Sequence, residues 1–224
     1  MKKSPKFTTI RTMQYTTQTT TISFVRHGQV HNPQKIYYGG LPRFRLSENG
    51  RMQAATTATH LAAQQVDVIY TSPLLRARQT AGIISERIEL PVHTSALLRE
   101  VHTPYDGQPQ EVMERRDWDG YTDSPPEFEQ PTDVVQRLTR FISQVRQRHV
   151  GQHVTAVTHA DPIAFTALWA AGQPCSIPAR RHLMQVGLPV NYPTHAGVLT
   201  LAFNGYGERP YQITYFDPMA NGHQ

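Results

Sequence analysis

Apolar residues fall along the chain in short, spaced clusters, and their period alternates between two kinds. Ile22, Phe24 and Val25 form a β-branched and aromatic run that stops at Arg26-His27-Gly28. That is the pattern of a buried strand opening into a loop. The loop passes Asn32-Pro33 and Gly39-Gly40. From Ser47, a residue suited to cap a helix, Ala54, Ala55, Ala58, Leu61 and Ala62 recur at helical spacing. Residues 66–70 read as a second strand closed by Thr71-Ser72-Pro73. Residues 74–88 read as a second helix with Leu75, Ala81, Ile83 and Ile84 on its apolar face. A short extended stretch near Val92 leads to Leu97-Leu98-Arg99-Glu100.

The pattern then breaks. Residues 101–131 hold five prolines and few aliphatics, which predicts a long loop or lid outside the core. A strongly amphipathic helix follows over 132–149, with Val134, Val135, Leu138, Phe141, Ile142 and Val145 on one face. Residues 154–158 predict a strand that ends at His159. Asp161-Pro162 opens a helix to about residue 171, as Pro in a first turn permits. Two closing strands, 198–203 and 211–216, are joined through Asn204-Gly205-Tyr206-Gly207, a hairpin-like turn.

Strands alternating with helices imply an α/β fold, a three-layer sandwich whose mainly parallel sheet carries helices on both faces. Residues 21–218 are expected to form one domain, with a lid-like insertion at about 101–131. Residues 1–20, polar, Thr-rich and without periodicity, are expected to be a disordered leader, and 219–224 a tail. Translation starting at Met13 instead of Met1 is left open. Ligands of such sheets bind beyond the carboxyl ends of the strands. Arg26, His27, Arg76, Glu100 and His159 all fall at or just past predicted strand ends.

Composition narrows the classes. The 224 residues are 38% hydrophobic and 17% charged, and no apolar run approaches the ~20 residues of a membrane span. The basic opening, Met1-Lys2-Lys3, leads into no apolar segment of a signal peptide, and Cys175 is the single cysteine. A cytoplasmic home with no membrane partner follows as the simplest expectation. Lys2, Lys3, Lys6 and Arg11 account for most of the net charge of +5, so the body is nearly balanced and gives no reason to invoke nucleic acid.

Two arginines and two histidines meeting at one sheet edge suit a dianionic phosphoryl group. Guanidinium forks match phosphate oxygens, and a neutral imidazole nitrogen can attack phosphorus. Cationic neighbours keep that imidazole unprotonated and stabilise charge on the transferring group. A carboxylic acid must protonate the leaving oxygen, and Glu100 stands where one is needed. Asp161 is a rival, with Asp106 and Glu111 in the lid more distant ones. His149 and His153 flank Gly151, but no Cys or acid clusters with them, so turn residues are the simpler reading and no metal is called for. His60, His93, His182, His195 and His223 carry no motif that assigns them a role.

Phe24-Val25-Arg26-His27-Gly28-Gln29 resembles the opening signature of the histidine phosphatase superfamily, which includes the cofactor-dependent phosphoglycerate mutases. Three further segments resemble that family in the same order: the helix start Leu46-Ser47-Glu48-Asn49-Gly50-Arg51-Met52-Gln53-Ala54, the second-arginine motif around Ser72-Pro73-Leu74-Leu75-Arg76-Ala77-Arg78-Gln79-Thr80, and the second-histidine motif Val157-Thr158-His159-Ala160-Asp161. Leu98-Arg99-Glu100 resembles its acid segment. The resemblance spans about residues 22–216. It implies a phosphoglycerate mutase-like fold, no cofactor and no metal. His27 is then the nucleophile; Arg26, Arg76 and His159 hold the phosphoryl oxygens; Glu100 is the proton donor. Asn32 is a further phosphate-pocket candidate, although its offset from Arg26 is one shorter than in many relatives. Gln29 stands where many relatives have Glu. The family's Gly-aromatic-x-Gly pattern after the acid is replaced by Val101-His102-Thr103-Pro104-Tyr105. Gln29, His31 and His102 lie in loops near the expected mouth and are candidate substrate contacts.

The leading expectation is a phosphomonoesterase that works on a small phosphorylated substrate through a phosphohistidine. A phosphoglycerate-type mutase is the alternative, and a non-catalytic binding or regulatory module a further one. The short lid favours hydrolysis, because a mutase must shield its phosphoenzyme from water. The physiological substrate is left open, and so is the oligomeric state, a homodimer included.

Overall fold

The computed structural model describes residues 18–205 and 207–220. The expected leader therefore lies largely outside the described residues, as do positions 221–224 of the tail. Among the described residues six strands form one sheet: β1 (Thr19–Arg26), β2 (Val68–Thr71), β3 (Val92–Thr94), β4 (His153–Thr158), β5 (Val198–Asn204) and β6 (Gln212–Phe216). Five α-helices flank it: α1 (Glu48–Ala62), α2 (Leu75–Ile88), α3 (Gln110–Arg115), α4 (Pro131–Arg148) and α5 (Ala160–Ala170). The strand order is β3-β2-β4-β1-β5-β6. The first four strands are mutually parallel, whereas β5 pairs antiparallel with both β1 and β6.

Side-chain alternation builds the three layers. Ile22 and Phe24 of β1, Val154 and Ala156 of β4, and Leu199, Leu201 and Phe203 of β5 share one core with α4 and α5. There the Phe24 ring meets Phe141 edge-on at 6.1 Å. Val25, Val157, Ile69 and Val198, on the opposite face, pack with Ala58 and Leu61 of α1 and with Ala77, Ala81 and Ile84 of α2. The amphipathic stripe of α4, namely Val134, Leu138, Phe141, Ile142 and Val145, is buried as its pattern predicts.

Local differences from the sequence reading have local causes. β1 begins at Thr19, within the expected leader, because Thr19 and Thr20 find partners in Asn204 and Phe203 of β5. A polar stretch can be a strand when a neighbour supplies the ladder. The 101–131 insertion, expected as loop, contains α3, whose six residues are too few to show a period. α5 starts at Ala160, with His159 in the N-cap position.

The connections define a switch point. The chain leaves β1 through α1 toward β2, on the far side of β4. It leaves β4 through α5 toward β5, on the far side of β1. The crevice beyond the carboxyl ends of β1 and β4 is therefore where such a sheet binds a ligand. Arg26, His27 and His159 stand at those two ends.

The loop after β1 is bolted to α1 by a close approach. A Cβ on Gly28 would lie 2.3 Å from the Gly50 carbonyl oxygen, and one on Gly50 would lie 2.0 Å from the Gln29 oxygen. Ser47 caps α1 by accepting from the Gly50 amide at 3.0 Å. Gln53 accepts from the Gln29 amide at 2.9 Å, and Thr80 of α2 accepts from the Gly28 amide at 3.1 Å. The Ser-x-x-Gly-x-x-Gln spacing thus has a mechanical reading: cap, clearance, and acceptor for the loop. Gly50→Ala is expected to destabilise the protein by about 1–3 kcal/mol, because backbone rather than a flexible side chain must move. Urea denaturation of wild type and variant at one pH checks this.

Candidate active site

His27 is buried at the end of β1, and its two ring nitrogens have different partners. Nδ1 lies 2.8 Å from the Gly28 carbonyl oxygen, which can only accept, so Nδ1 carries the proton. Nε2 accepts from Arg76 Nε at 3.2 Å, so its lone pair faces the guanidinium. Burial, followed by the charges of Arg76 and Arg26, holds the His27 pKa well below the usual histidine value. The ring is neutral with Nε2 unprotonated, the state a nucleophilic imidazole needs.

Arg76, on the first turn of α2, is fully buried. Its Nη1 donates to the Leu41 carbonyl at 3.0 Å and its Nη2 to the Gly39 carbonyl. Arg26 donates from Nη1 to the Pro193 carbonyl at 2.7 Å and from Nη2 to His195 Nε2 at 3.1 Å. His159, fully buried at the head of α5, lies 5.2 Å from His27 between ring centroids. Its Nε2 is 2.8 Å from Ser72 Oγ, and its pKa is also held well down, by burial and then by Arg76 and His27.

Glu100 closes the group. Its Oε1 accepts from the Val101 amide at 2.9 Å, and its Oε2 sits 3.9 Å from His159 Nδ1. Burial, and then the neighbouring Asp161 charge, push its pKa up to about 7. A carboxyl group at that value still holds a proton near neutrality and can give it away. Asp161 is differently placed. Its Oδ2 accepts from the Tyr121 hydroxyl at 2.6 Å and its Oδ1 from the Tyr192 hydroxyl at 2.5 Å, with Arg180 Nε 3.4 Å from Oδ2. Both oxygens are engaged as acceptors. Asp106 takes the Gly40 amide on its two oxygens at 3.0 Å each, and Glu111 is exposed on α3.

A cavity of about 440 Å³ opens over these groups, walled by Arg26, His27, Tyr37, Glu100, Trp118 and Asp161, with Arg180, Arg181, Tyr192 and His195 also on its lining. Four buried side-chain polar atoms lack a hydrogen-bond partner among the described residues. Two of them, Arg26 Nε and Arg180 Nε, are on residues that line the cavity, and a third, His159 Nδ1, lies 3.9 Å from Glu100 Oε2. Arg180 Nε still faces the Asp161 carboxylate at 3.4 Å, whereas Arg26 Nε is a buried donor with no acceptor, and an anion's oxygen would satisfy it.

The structure thus brings Arg26, His27, Arg76, Glu100 and His159 together. It does not bring the other candidates in. Asn32 turns back on its own loop, donating to the Ile36 carbonyl at 2.8 Å and accepting from the Ile36 amide at 3.2 Å. It shapes the segment carrying Tyr37 but does not line the cavity. The Gln29 amide oxygen accepts from Ser47 Oγ and Asn49 Nδ2 at the head of α1. His31 is exposed, and so is His102, whose ring lies tilted against Phe128 with centroids 4.7 Å apart. Asn32 and Gln29 lie within loop reach of the mouth, but their short polar side chains are captured by the nearest backbone and helix end, whereas His31 and His102 face solvent. His195, which carried no motif, is in the site. Its signal was topological: β5 runs antiparallel to β1, so the residues before Val198 lie beside the end of β1. Among the described residues no group of three or more His, Cys, Asp or Glu side chains is arranged to hold a metal ion, and no helix is long and apolar enough to cross a membrane.

Two arginines, two histidines and a carboxyl group gathered at the switch point of an α/β sheet are the side chains that a phosphoryl-handling enzyme needs. Residues 22–204 match the histidine phosphatase superfamily, branch 1, and the chain belongs to that family. It is similar to the uncharacterized protein Rv0525 of Mycobacterium tuberculosis (strain ATCC 25618 / H37Rv), at 32% identity over 90% of this chain and 98% of that one. It is also similar to phosphoserine phosphatase 1 of Hydrogenobacter thermophilus, at 35% identity over 62% of this chain and 70% of that one. Among solved structures, the native mycobacterial glucosyl-3-phosphoglycerate phosphatase Rv2419c shares the fold. Its TM-score is 0.67 or below, at 0.66, with 24% identity over 88% of this chain and 96% of that one. By family the chain is a histidine phosphatase.

The Glu100 pKa has a consequence for stability. Between about 4.5 and about 7 the folded protein retains a proton that the unfolded chain gives up. The contribution of Glu100 is therefore most favourable below that window and is lost as pH rises through it. Glu100→Gln is expected to raise the thermal midpoint relative to wild type at pH 8 and to change it little at pH 4.5, by calorimetry at both values.

Proposed function

We propose that the protein is a metal-independent phosphomonoesterase that acts on a small phosphorylated metabolite through a phosphohistidine at His27. The carrying observation is the split of the His27 ring: Nδ1 tied to the Gly28 carbonyl, Nε2 left as a lone pair beside Arg76. The substrate's phosphoryl oxygens take over donors of Arg26 and Arg76 and fill the vacancies at Arg26 Nε and His159 Nδ1. Freed of Arg76, Nε2 attacks phosphorus, and the nitrogen–phosphorus bond forms as the bond to the ester oxygen breaks. Glu100 gives its proton to that oxygen. As a carboxylate it then takes a proton from water, which attacks phosphorus and releases inorganic phosphate with the bonding pair returned to Nε2. Arg26 and Arg76 supply the positive charge that the transferring group requires.

Water is favoured over a second substrate as acceptor because the insertion supplies only α3, a six-residue helix, as cover between Glu100 and α4. The aromatic walls, Tyr37, Trp118 and Tyr192, suit an organic leaving group, and the cavity volume admits one of metabolite size. The names of the relatives, a phosphoserine phosphatase and a glucosyl-3-phosphoglycerate phosphatase, support that substrate class. The single cysteine, Cys175, is free, which fits a cytoplasmic setting.

The test is inorganic phosphate release from a panel of phosphomonoesters without added metal, wild type beside His27→Ala. Wild type is expected to turn over, and His27→Ala to lose at least about a thousandfold in kcat/KM. Residual activity within tenfold of wild type would rule the mechanism out. A leaving-group series tests the acid: Glu100→Gln should impair alkyl phosphates far more than p-nitrophenyl phosphate, and wild-type kcat on alkyl phosphates should fall as pH rises through about 7. Equal losses across the series would remove Glu100 from the role.

A further inference from the structure

His195 stands in the site without a part in the chemistry above. Its Nε2 lies 3.1 Å from Arg26 Nη2, and a guanidinium can only donate, so Nε2 is the acceptor. A neutral ring that accepts at Nε2 must carry its proton on Nδ1. Burial and then Arg26 push the His195 pKa down to about 3, so the ring is neutral throughout the working range. Among the described residues nothing accepts a hydrogen bond from Nδ1, and His195 lines the cavity with its ring centroid 6.1 Å from that of His27. The result is a donor of fixed tautomer beside the place where phosphorus must sit.

The backbone that presents this ring is strained and clamped. Ala196 adopts φ 56°, the left-handed region that a residue with a Cβ enters only when its surroundings compel it. Its amide donates to the His27 carbonyl at 3.3 Å and its carbonyl accepts from Thr57 Oγ1 at 2.6 Å. On the other side of the ring, the Thr194 amide donates to the Tyr215 hydroxyl at 2.8 Å, and Thr194 Oγ1 donates to Asp217 at 3.0 Å. A Cβ at Gly197 would lie 2.1 Å from the Tyr215 hydroxyl oxygen. The turn 194–197 is thus held by β1, α1 and the end of β6 at once. A surface turn has no need of such fixing; a side chain that must meet a ligand oxygen does.

We propose that His195 is a further phosphoryl-binding residue, which holds the Arg26 guanidinium through Nε2 and donates from Nδ1 to an oxygen of the transferring group. This rests on the phosphoryl site proposed above and deepens it.

Orthovanadate serves as the phosphoryl probe, its binding followed by titration calorimetry, so that the readout does not depend on turnover. His195→Ala is expected to weaken vanadate binding at least tenfold with a thermal midpoint close to wild type. His195→Asn, which can place an amide donor near the position of Nδ1 but cannot reach Arg26, should stay within about threefold of wild type. Binding by His195→Ala within twofold of wild type overturns the proposal. So does a loss in His195→Asn as large as in His195→Ala, which would leave His195 only the holding of Arg26. The phosphate-release comparison of wild type with His27→Ala keeps the two readings apart. Hydrolysis independent of His27 defeats the covalent mechanism. His27-dependent hydrolysis with no effect of His195→Ala on vanadate defeats only this one.

Discussion

A fully buried guanidinium beside an imidazole that must stay neutral is the constraint on which the rest of this structure depends. Arg76 has no exposed surface, and its charge has to be met by acceptors inside the protein. The carbonyls of Gly39 and Leu41 and the lone pair of His27 Nε2 meet it. That requirement fixes the loop between β1 and α1, which must turn two carbonyls inward. It also fixes the head of α2, which must deliver Arg76 under that loop. The Tyr38 ring lies 5.0 Å from the Arg76 guanidinium carbon and adds a face to the same enclosure. Burial and then the same charge keep a proton off His27, so the arrangement that makes the arginine tolerable also keeps the imidazole neutral.

The two carboxylates near the histidines show how environment separates identical chemistry. Glu100 has one backbone amide for company and is buried, so it retains a proton to about neutrality. Asp161 faces two tyrosine hydroxyls and Arg180. Its charge is one of the causes that raise Glu100, while its own oxygens are spent on holding Tyr121 of the insertion and Tyr192 of the loop before β5. One carboxyl group is thereby left holding a proton to about neutrality and the other is committed to assembling the walls.

The parts of this design that were legible in the sequence share one property: their position follows from a single element and its end. Arg26, His27 and His159 terminate strands, Arg76 opens a helix, and the periodicity that marks those elements marks the residues too. The six-stranded α/β sandwich was legible for the same reason, since Val25 against Phe24, or Leu138 against Arg140, declares a face. His195, Tyr192 and Arg180 were not legible, because nothing local predicts that β5 runs antiparallel to β1 and carries its preceding loop to the end of that strand. Asn32 and Gln29 went the other way. Both sit in the right loop, but Ile36 in one case and the head of α1 in the other lay closer than the cavity.

Strain marks where the long-range parts are joined. Asp117 and Trp118 are consecutive left-handed residues with φ 49° and 60°, neither of them glycine. The carbonyls of the two are taken by consecutive arginines, Arg181 for Asp117 at 2.6 Å and Arg180 for Trp118. Arg180 is buried and also faces Asp161, so the corner of the insertion that brings Trp118 to the cavity is tied through one side chain to the head of α5. Ala196 is the counterpart on the opposite wall, clamped to His27 and Thr57. Such conformations are retained only where surrounding contacts over-determine them. Here most of those contacts end on residues that line the cavity, Arg180, Arg181 and His27. The floor of the cavity is therefore set by the sheet, through strand ends that any member of the alternating pattern would provide. The walls are set by arginine and threonine side chains that hold loops in shapes they would not otherwise keep.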